Sequence, residues 1–327
     1  EVGTMKYKIL TTRKEIYAGI NLWNTRYKEY KINPLLITQN IFSPFAGTNV
    51  VCWGGFKGNQ LTAFVVLKYT EALLSDYLTD HHAWVSLWVI SEIDEQESVW
   101  RELLLELETF LLSKGVRKVR IGGDPQSFFP GLPAEMSKEY LSLLISSGYM
   151  ETGTVYDLYQ NISTFFLPDF VGEIDHAYQD QLRLEAVTKN SEQELLNFLK
   201  TNFSGRWYYE ADNIRRIPGG IEDYWLLYYH NKVAAFARVN TEDSAHYGPN
   251  INWGAQFGPG FCGLGPLGVD RNYQGKRWGL YLIAKLIAYL KEQHYQHMII
   301  DWTTLVGYYQ KLGFEVCKKY TILSKTL

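Results

Sequence analysis

The sequence predicts an α/β protein made of two copies of one mixed-sheet unit. Two observations predict it. A single order of elements (strand, helix, hairpin, strand, long helix, strand, helix, strand) is readable twice along the 327 residues. The length exceeds that of one small domain, and 46% hydrophobic residues suffice for two cores.

The first copy opens with a strand at Lys6–Thr11 and a polar helix near Lys14–Tyr27; residues 1–4 are left out of the fold reading. Two β-branched runs, Asn49–Phe56 and Gln60–Tyr69, flank Lys57-Gly58-Asn59 and read as a hairpin. A strand at Ala83–Ile90 follows. Trp100, Leu103, Leu104, Leu107 and Leu111 keep helical spacing on one face of a helix from Glu97 to Lys114, which Gly115 ends. A strand at Val116–Ile121, a Pro/Gly-rich insert around Phe128–Pro133, a helix through Leu144 and a strand at Val155–Gln160 complete it.

The second copy repeats the order. A strand at Arg183–Val187 leads to a helix at Glu192–Lys200, then a hairpin of Tyr224–Tyr229 and Lys232–Asn240. A strand at Gly263–Val269 precedes a helix carrying Leu280, Ile283, Leu286, Ile287 and Leu290 at helical spacing. A strand at Met298–Trp302, a short helix at Thr304–Leu312 and a strand at Val316–Ser324 follow. The expected boundaries are 5–164 for the first domain and 182–327 for the second. Residues 165–181, with Pro168 and several acidic side chains, read as the linker.

Composition narrows the function classes. A net charge of −3 and a pI near 6.2 speak against a nucleic-acid partner. No apolar run approaches the ~20 residues of a membrane span, and no signal-peptide pattern is present, so a cytoplasmic protein without a membrane partner is expected. Cys52, Cys262 and Cys317 are scattered and form no CxxC, which predicts neither disulfides nor a zinc site. His81-His82 has no third ligand nearby, so no metal is expected. Asn161-Ile162-Ser163 matches a glycosylation sequon, without meaning in a cytosolic chain. The surplus of 24 Tyr, 16 Phe and 10 Trp fits core packing first and a ligand cleft second.

The sharpest segment runs from Leu264-Gly-Pro-Leu-Gly-Val-Asp270 into Arg271-Asn-Tyr-Gln-Gly-Lys-Arg-Trp-Gly279. A strand ends, a loop with Gly275 and Gly279 follows, and an amphipathic helix begins. Such a loop aims free backbone N–H groups and the positive end of the helix dipole at one spot, where they bind phosphate. Lys276 and Arg277 add positive charge. About 30 residues on stands Tyr309-Gln-Lys-Leu-Gly-Phe314.

Here the chain resembles the GNAT (Gcn5-related N-acetyltransferase) superfamily. Gln274-Gly-Lys-Arg-Trp-Gly279 resembles its pyrophosphate loop, (Gln/Arg)-x-x-Gly-x-(Gly/Ala), and Tyr309-x-Lys311-x-Gly313-Phe314 its second motif. The fold resemblance covers nearly the whole chain, the motif resemblance about 60 residues of the second half. It implies a tandem-GNAT protein that uses acetyl-CoA, or another acyl-CoA, as co-substrate. It implies that backbone groups of Leu267, Gly268 and Val269 meet the pantetheine arm. Amides of Gln274, Gly275, Lys276, Arg277, Trp278, Gly279 and Leu280 would hold the pyrophosphate. Tyr309 would protonate the departing thiolate, with Tyr308 in reserve. Two departures stand out. Arg277 replaces the family's first glycine, so its side chain has to point away from the phosphates or along them. The family's frequent Asn on the next strand is replaced around Asp301-Trp302.

An amine nucleophile has to shed a proton, and Glu210, Asp270, Asp301 and His246 are the candidate receivers. Glu210 is the first choice, because Phe203–Glu210 lies in the region that shapes the acceptor pocket in this family, with Arg206 and the three consecutive aromatic residues Trp207, Tyr208 and Tyr209. The expected reaction is direct acyl transfer to a small-molecule or peptide amine in a ternary complex; a homodimer stays open. Two other readings stay open: a coenzyme A-binding scaffold without activity, and a tandem-GNAT aminoacyl or peptidyl transferase.

The first half lacks these features. Setting Leu104 against Ile283 places Glu95, Gln96, Glu97, Ser98 and Trp100 opposite Gln274, Gly275, Lys276, Arg277 and Gly279. Carboxylates repel a pyrophosphate and an indole blocks close backbone approach. Leu144 stands opposite Tyr309. A degenerate GNAT-like half is expected.

Overall fold

A capping box sets where the first helix starts. In the computed structural model, which describes residues 5–71, 77–78, 81–91 and 96–327, strand β1 (Met5–Leu10) leads to helix α1 (Arg13–Arg26). The Thr12 hydroxyl accepts from the Glu15 amide, and the Glu15 carboxylate accepts from the Thr12 amide, both at 3.2 Å. The short α2 (Pro34–Ile37) follows. Strands β2 (Thr48–Lys57) and β3 (Gln60–Thr70) form the expected hairpin, turning at Gly58 with φ +62°. Then come β4 (His82–Ile90), α3 (Gln96–Ser113), β5 (Lys118–Ile121), the two-residue β6 (Leu132–Pro133), α4 (Ser137–Ser146) and β7 (Met150–Asn161).

The second series starts one element early, with α5 (Asp169–Tyr178). It continues through β8 (Leu182–Ala186), α6 (Glu192–Asn202), α7 (Arg206–Ile214), β9 (Tyr224–Tyr229), β10 (Lys232–Thr241) and β11 (Phe261–Val269). It ends with α8 (Trp278–Glu292), β12 (His297–Thr303), α9 (Val306–Gln310) and β13 (Glu315–Thr326). Among the described residues, no helix is long and apolar enough to cross a membrane.

The chain forms two compact units, and their boundaries correct the sequence-based ones. One unit is Glu1–Val155 with Lys319–Leu327; the other is Tyr156–Lys318. In the first, β1 to β4 are antiparallel neighbours in order, β4 and β5 are parallel, and the tail of β13 pairs antiparallel with β5 (Ser324↔Arg120). In the second, β8 to β11 are antiparallel neighbours, β11 and β12 are parallel, and the end of β7 pairs antiparallel with β12 (His297↔Asn161). Each repeat thus gives the end of its last strand to the other unit. Nothing in a strand's own residues names its partner, so a cut between repeats was the natural reading.

The supposed linker, residues 165–181, is also corrected. Val171 and Ile174 of α5 are buried in the same core as Leu282, Ile283 and Leu286 of α8. Polar contacts clamp the pair: the Tyr281 hydroxyl donates to Asp175 at 2.7 Å, and Lys285 lies 3.1 Å from the same carboxylate. Packing, not intrinsic propensity, holds α8. Its Leu282, Ile283, Leu286, Ile287 and Leu290 are at most 1% exposed. Burying each contributes roughly 1.5–3 kcal/mol, several times the tenths that separate good helix formers.

Candidate active site

Strands β11 and β12 pair at only three positions, Phe261↔His297 through Gly263↔Ile299, and then part. Past that point Leu264–Leu267 and Ile300–Leu305 line a cavity of about 380 Å³, closed by Arg206, Trp207 and Glu210 of α7, Arg238, Pro249 and Tyr309. Bulges on the neighbouring strands help open it. The register slips between Ala237 and Val239 on β10, and between Ile300 and Thr303 on β12.

The outer edge of β11 faces this gap with its main chain. The Asp270 amide donates to Ala234 of the β10 side at 2.9 Å. Because successive residues of a strand point their polar groups to opposite sides, those of Leu267 and Val269 face the gap and those of Gly268 face β10. Gly268 cannot carry a side chain, since a Cβ there would strike the Phe203 ring.

Next to this edge, α8 begins. The amides of Gly275, Lys276, Arg277, Trp278, Gly279 and Leu280 have no acceptor among the described residues; the first amide bonded into the helix is that of Tyr281, to the Arg277 carbonyl at 2.9 Å. The loop can expose them because Gly275 and Arg277 both take left-handed backbone, φ +82° and +60°. For arginine this conformation costs roughly 1–2 kcal/mol. The side chain leaves the loop and turns to α5, 3.0 Å from Glu173 and over the Phe170 ring at 5.3 Å. With both partners more than half exposed, that ion pair contributes at most about 1 kcal/mol. The backbone strain is therefore not recovered in full, as is common where a loop is shaped for a ligand. Gly279 fixes the approach of α9: a Cβ there would collide with the Tyr308 hydroxyl.

Tyr309 is buried and faces the cavity, while Tyr308 beside it meets Gly279. Burial, with the nearby Tyr308 and Asp301, pushes the Tyr309 pKa well above the ordinary phenol value. Asp301 lines the same cavity. Its pKa is raised to about 7, by desolvation first and then by the neighbouring Asp157 carboxylate, against the pull of Arg206. Glu210 also lines the cavity, buried and paired with Arg206 one helical turn earlier. The other two candidate bases lie elsewhere. Asp270 caps the turn after β11, accepting from the Asn272 amide at 2.8 Å. His246 is buried against Arg238, which donates to its carbonyl at 2.8 Å. No cluster of three metal-ligating side chains occurs among the described residues.

Residues 192–314, which contain the cavity lining and the loop before α8, match the model of the acetyltransferase (GNAT) family. This region is similar in sequence to the GNAT acetyltransferases. Among curated proteins, none matches the chain significantly in sequence. Solved structures extend the fold likeness to the full chain. One similar structure is a GCN5-related glucosamine N-acetyltransferase region of a fungal multi-domain GH3 β-N-acetylglucosaminidase, with a TM-score of 0.87 at 17% identity over 98% of this chain. The chain spans 38% of that protein's length. A tandem GNAT protein from the clavulanic acid biosynthesis pathway gives a TM-score of 0.69 at 10% identity, covering 99% of this chain and 98% of that one. A GCN5-related N-acetyltransferase from Sphaerobacter thermophilus gives 0.64 at 11% identity, covering 98% and 95%. The fold is two GNAT units in tandem.

The first GNAT unit is built differently at the matching place. Strands β4 and β5 part after Val85↔Ile121, but there the chain turns back on itself. The Gly122 amide donates to Val85, and Asp124 accepts from Ser86 and Lys68, each at 2.6 Å. Lys68 also donates to Asn40 at 2.9 Å and to the Gln126 carbonyl at 3.2 Å, and Phe128 and Phe129 are fully buried nearby. Residues 122–131 cover the stretch of β4 that β5 leaves. At the start of α3, Trp100 is buried against Tyr140 and the Gln96 side chain donates through Nε2 to Glu139; Glu95 lies outside the described residues. Leu144, opposite Tyr309 in the repeat, is buried and apolar. Sequence reasoning missed both the plug formed by 122–131 and the cavity role of Trp302. A Pro/Gly-rich insert signals a loop but not where the loop lands.

Proposed function

We propose that the second GNAT unit transfers the acetyl group of acetyl-CoA to a primary amine, with glucosamine or a related amino sugar as the acceptor. The observation that carries this reading is the run of six unbonded amides at the start of α8, set beside a cavity that holds Tyr309 and Asp301. Such a run with the helix dipole suits an anionic group, and its length suits a pyrophosphate. The choice of acceptor is supported by the glucosamine activity named for the fungal region with the similar fold.

The residues divide the work as follows. The amides of 275–280 hold the pyrophosphate, and the gap-facing main chain of Leu267 and Val269 pairs with the pantetheine arm. An amide of that edge polarises the thioester carbonyl as charge develops on its oxygen. The amine nitrogen bonds to the carbonyl carbon, the carbon–sulfur bond breaks, and the thiolate takes its proton from Tyr309. A phenol whose pKa burial has raised keeps that proton until the leaving group calls for it. Asp301 receives the proton shed by the amine, since a carboxyl at about 7 is poised for exchange at neutral pH. Glu210, first choice from sequence, is instead engaged by Arg206.

The test is calorimetric titration with coenzyme A together with thiol release from acetyl-CoA in the presence of glucosamine. Binding with turnover is expected. Absence of coenzyme A binding overturns the reading; binding without turnover of any amine turns the protein into a coenzyme A binder.

A further inference from the structure

The cavity already contains a cation. Arg206, the first residue of α7, pairs through Nε with the Glu210 carboxylate, and its guanidinium carbon lies 4.2 Å from the centre of the Trp302 ring. Asp301 feels the charges of both Arg206 and Glu210. Two carboxylates and an indole face thus surround one positive group, with Arg238 and Tyr309 completing the wall.

The cage is built by local departures from regular structure. Trp302 takes left-handed backbone, φ +47°, in the stretch where β12 loses register, and its amide is pinned to Asp157 at 3.0 Å. That conformation turns the indole out of the strand toward α7. Arg206 is equally out of place on its helix. A cation in the first turn opposes the helix dipole, and Gly205 before it supplies no side-chain cap. The local gain of Arg206 on the helix is the i,i+4 pair with Glu210, itself a wall of the cage.

We propose that this cage is the subsite for the acceptor's ammonium group and that Arg206 is its internal placeholder. The proposal rests on the amine-acetylation reading above. The acceptor enters protonated, displaces the guanidinium from the Trp302 face, and sits between Glu210 and Asp301. Asp301 removes one proton from nitrogen and passes it to solvent, which frees the lone pair for attack, and takes the second as the amide forms, while Glu210 keeps the position anchored and Tyr309 regains its proton from solvent. The subsite therefore selects acceptors that arrive as cations. Arg206 acts as an internal competitor that sets how tightly they bind.

Arg206→Met tests this in the full chain. Removing the competitor should lower the KM for glucosamine about five- to tenfold, the scale of one partly buried cation–π contact, while coenzyme A affinity stays within twofold of the unmodified protein. Guanidinium chloride at millimolar concentration should become competitive against the amine in the variant but not in the unmodified protein. Calorimetric titration of guanidinium into the variant reads the cage without any turnover, so it separates failure of this subsite from failure of the acetyl-transfer reading. A raised or unchanged KM, or no guanidinium binding to the folded variant, overturns the proposal. Should the methionine variant not fold, Arg206→Gln carries the same expectations.

Discussion

The two GNAT units follow one order of elements and diverge where their parallel strands part. In one, the chain after β5 folds back, and the Lys68–Asp124 pair with Phe128 and Phe129 fills the space. In the other, β12 itself bulges at Asp301 and Trp302 and leaves about 380 Å³ open. The same split between strands is thus filled as interior in one copy and left as a cavity in the other. The repeated order of elements supplies the cleft twice; the residues where the parallel strands part decide whether it is filled.

Moving the first unit's Trp100 to the matching position should have the largest effect. Gly279→Trp puts an indole where even a Cβ collides with Tyr308. Coenzyme A affinity should fall at least about a hundredfold, nearly 3 kcal/mol, by calorimetry. Retained affinity would show that bulk at this position does not separate the units.

Asp301→Asn comes next. kcat should drop about 10²- to 10³-fold. The raised pKa keeps Asp301 protonated, and useless as a base, below about 7, so kcat/KM of the unmodified protein should climb as pH rises through that value. The variant should lose that limb; a profile that keeps it assigns the base elsewhere. Tyr309→Phe makes the site more like Leu144 of the first unit. kcat should fall about 10- to 100-fold with coenzyme affinity unchanged, and an unaltered rate removes Tyr309 from the mechanism.

The smallest effect on activity is expected inside the plug. Lys68→Met strands a buried Asp124, which costs about 3–5 kcal/mol of stability, visible as a lowered Tm. Turnover per folded molecule should stay the same. A change in coenzyme affinity would mean that the first unit is more than a filled relic.

Much of this contrast was legible in the sequence, for identifiable reasons. Leu280, Ile283, Leu286, Ile287 and Leu290 announce α8 because its whole inner face is buried, and Gly275 and Gly279 mark the loop because only small residues allow its geometry. The α5 helix was hidden by Pro168 and four nearby carboxylates. Yet the proline precedes the helix, Asp169 suits its positive end, and Val171 and Ile174 form the buried stripe. Asp301 was one candidate of four, because its raised pKa comes from burial first and then from Asp157, more than a hundred positions away, neither of which its neighbours in sequence reveal. Arg277 looked like a flaw in the phosphate loop until α5, misread as linker, supplied Glu173 and Phe170 to receive its side chain.

The traded strand ends bear on how the molecule is made. A ribosome delivers residues 5–155 before 156–318, yet the edge that β5 offers to Ser324 stays vacant until residues 319–327 have followed. By then Tyr156–Lys318 is already available to close as a body of its own. The unit encoded first is thus the one completed last. Severing the gene at the repeat boundary yields two fragments that each carry the other's strand, whereas excising 156–318 keeps the reaction site whole.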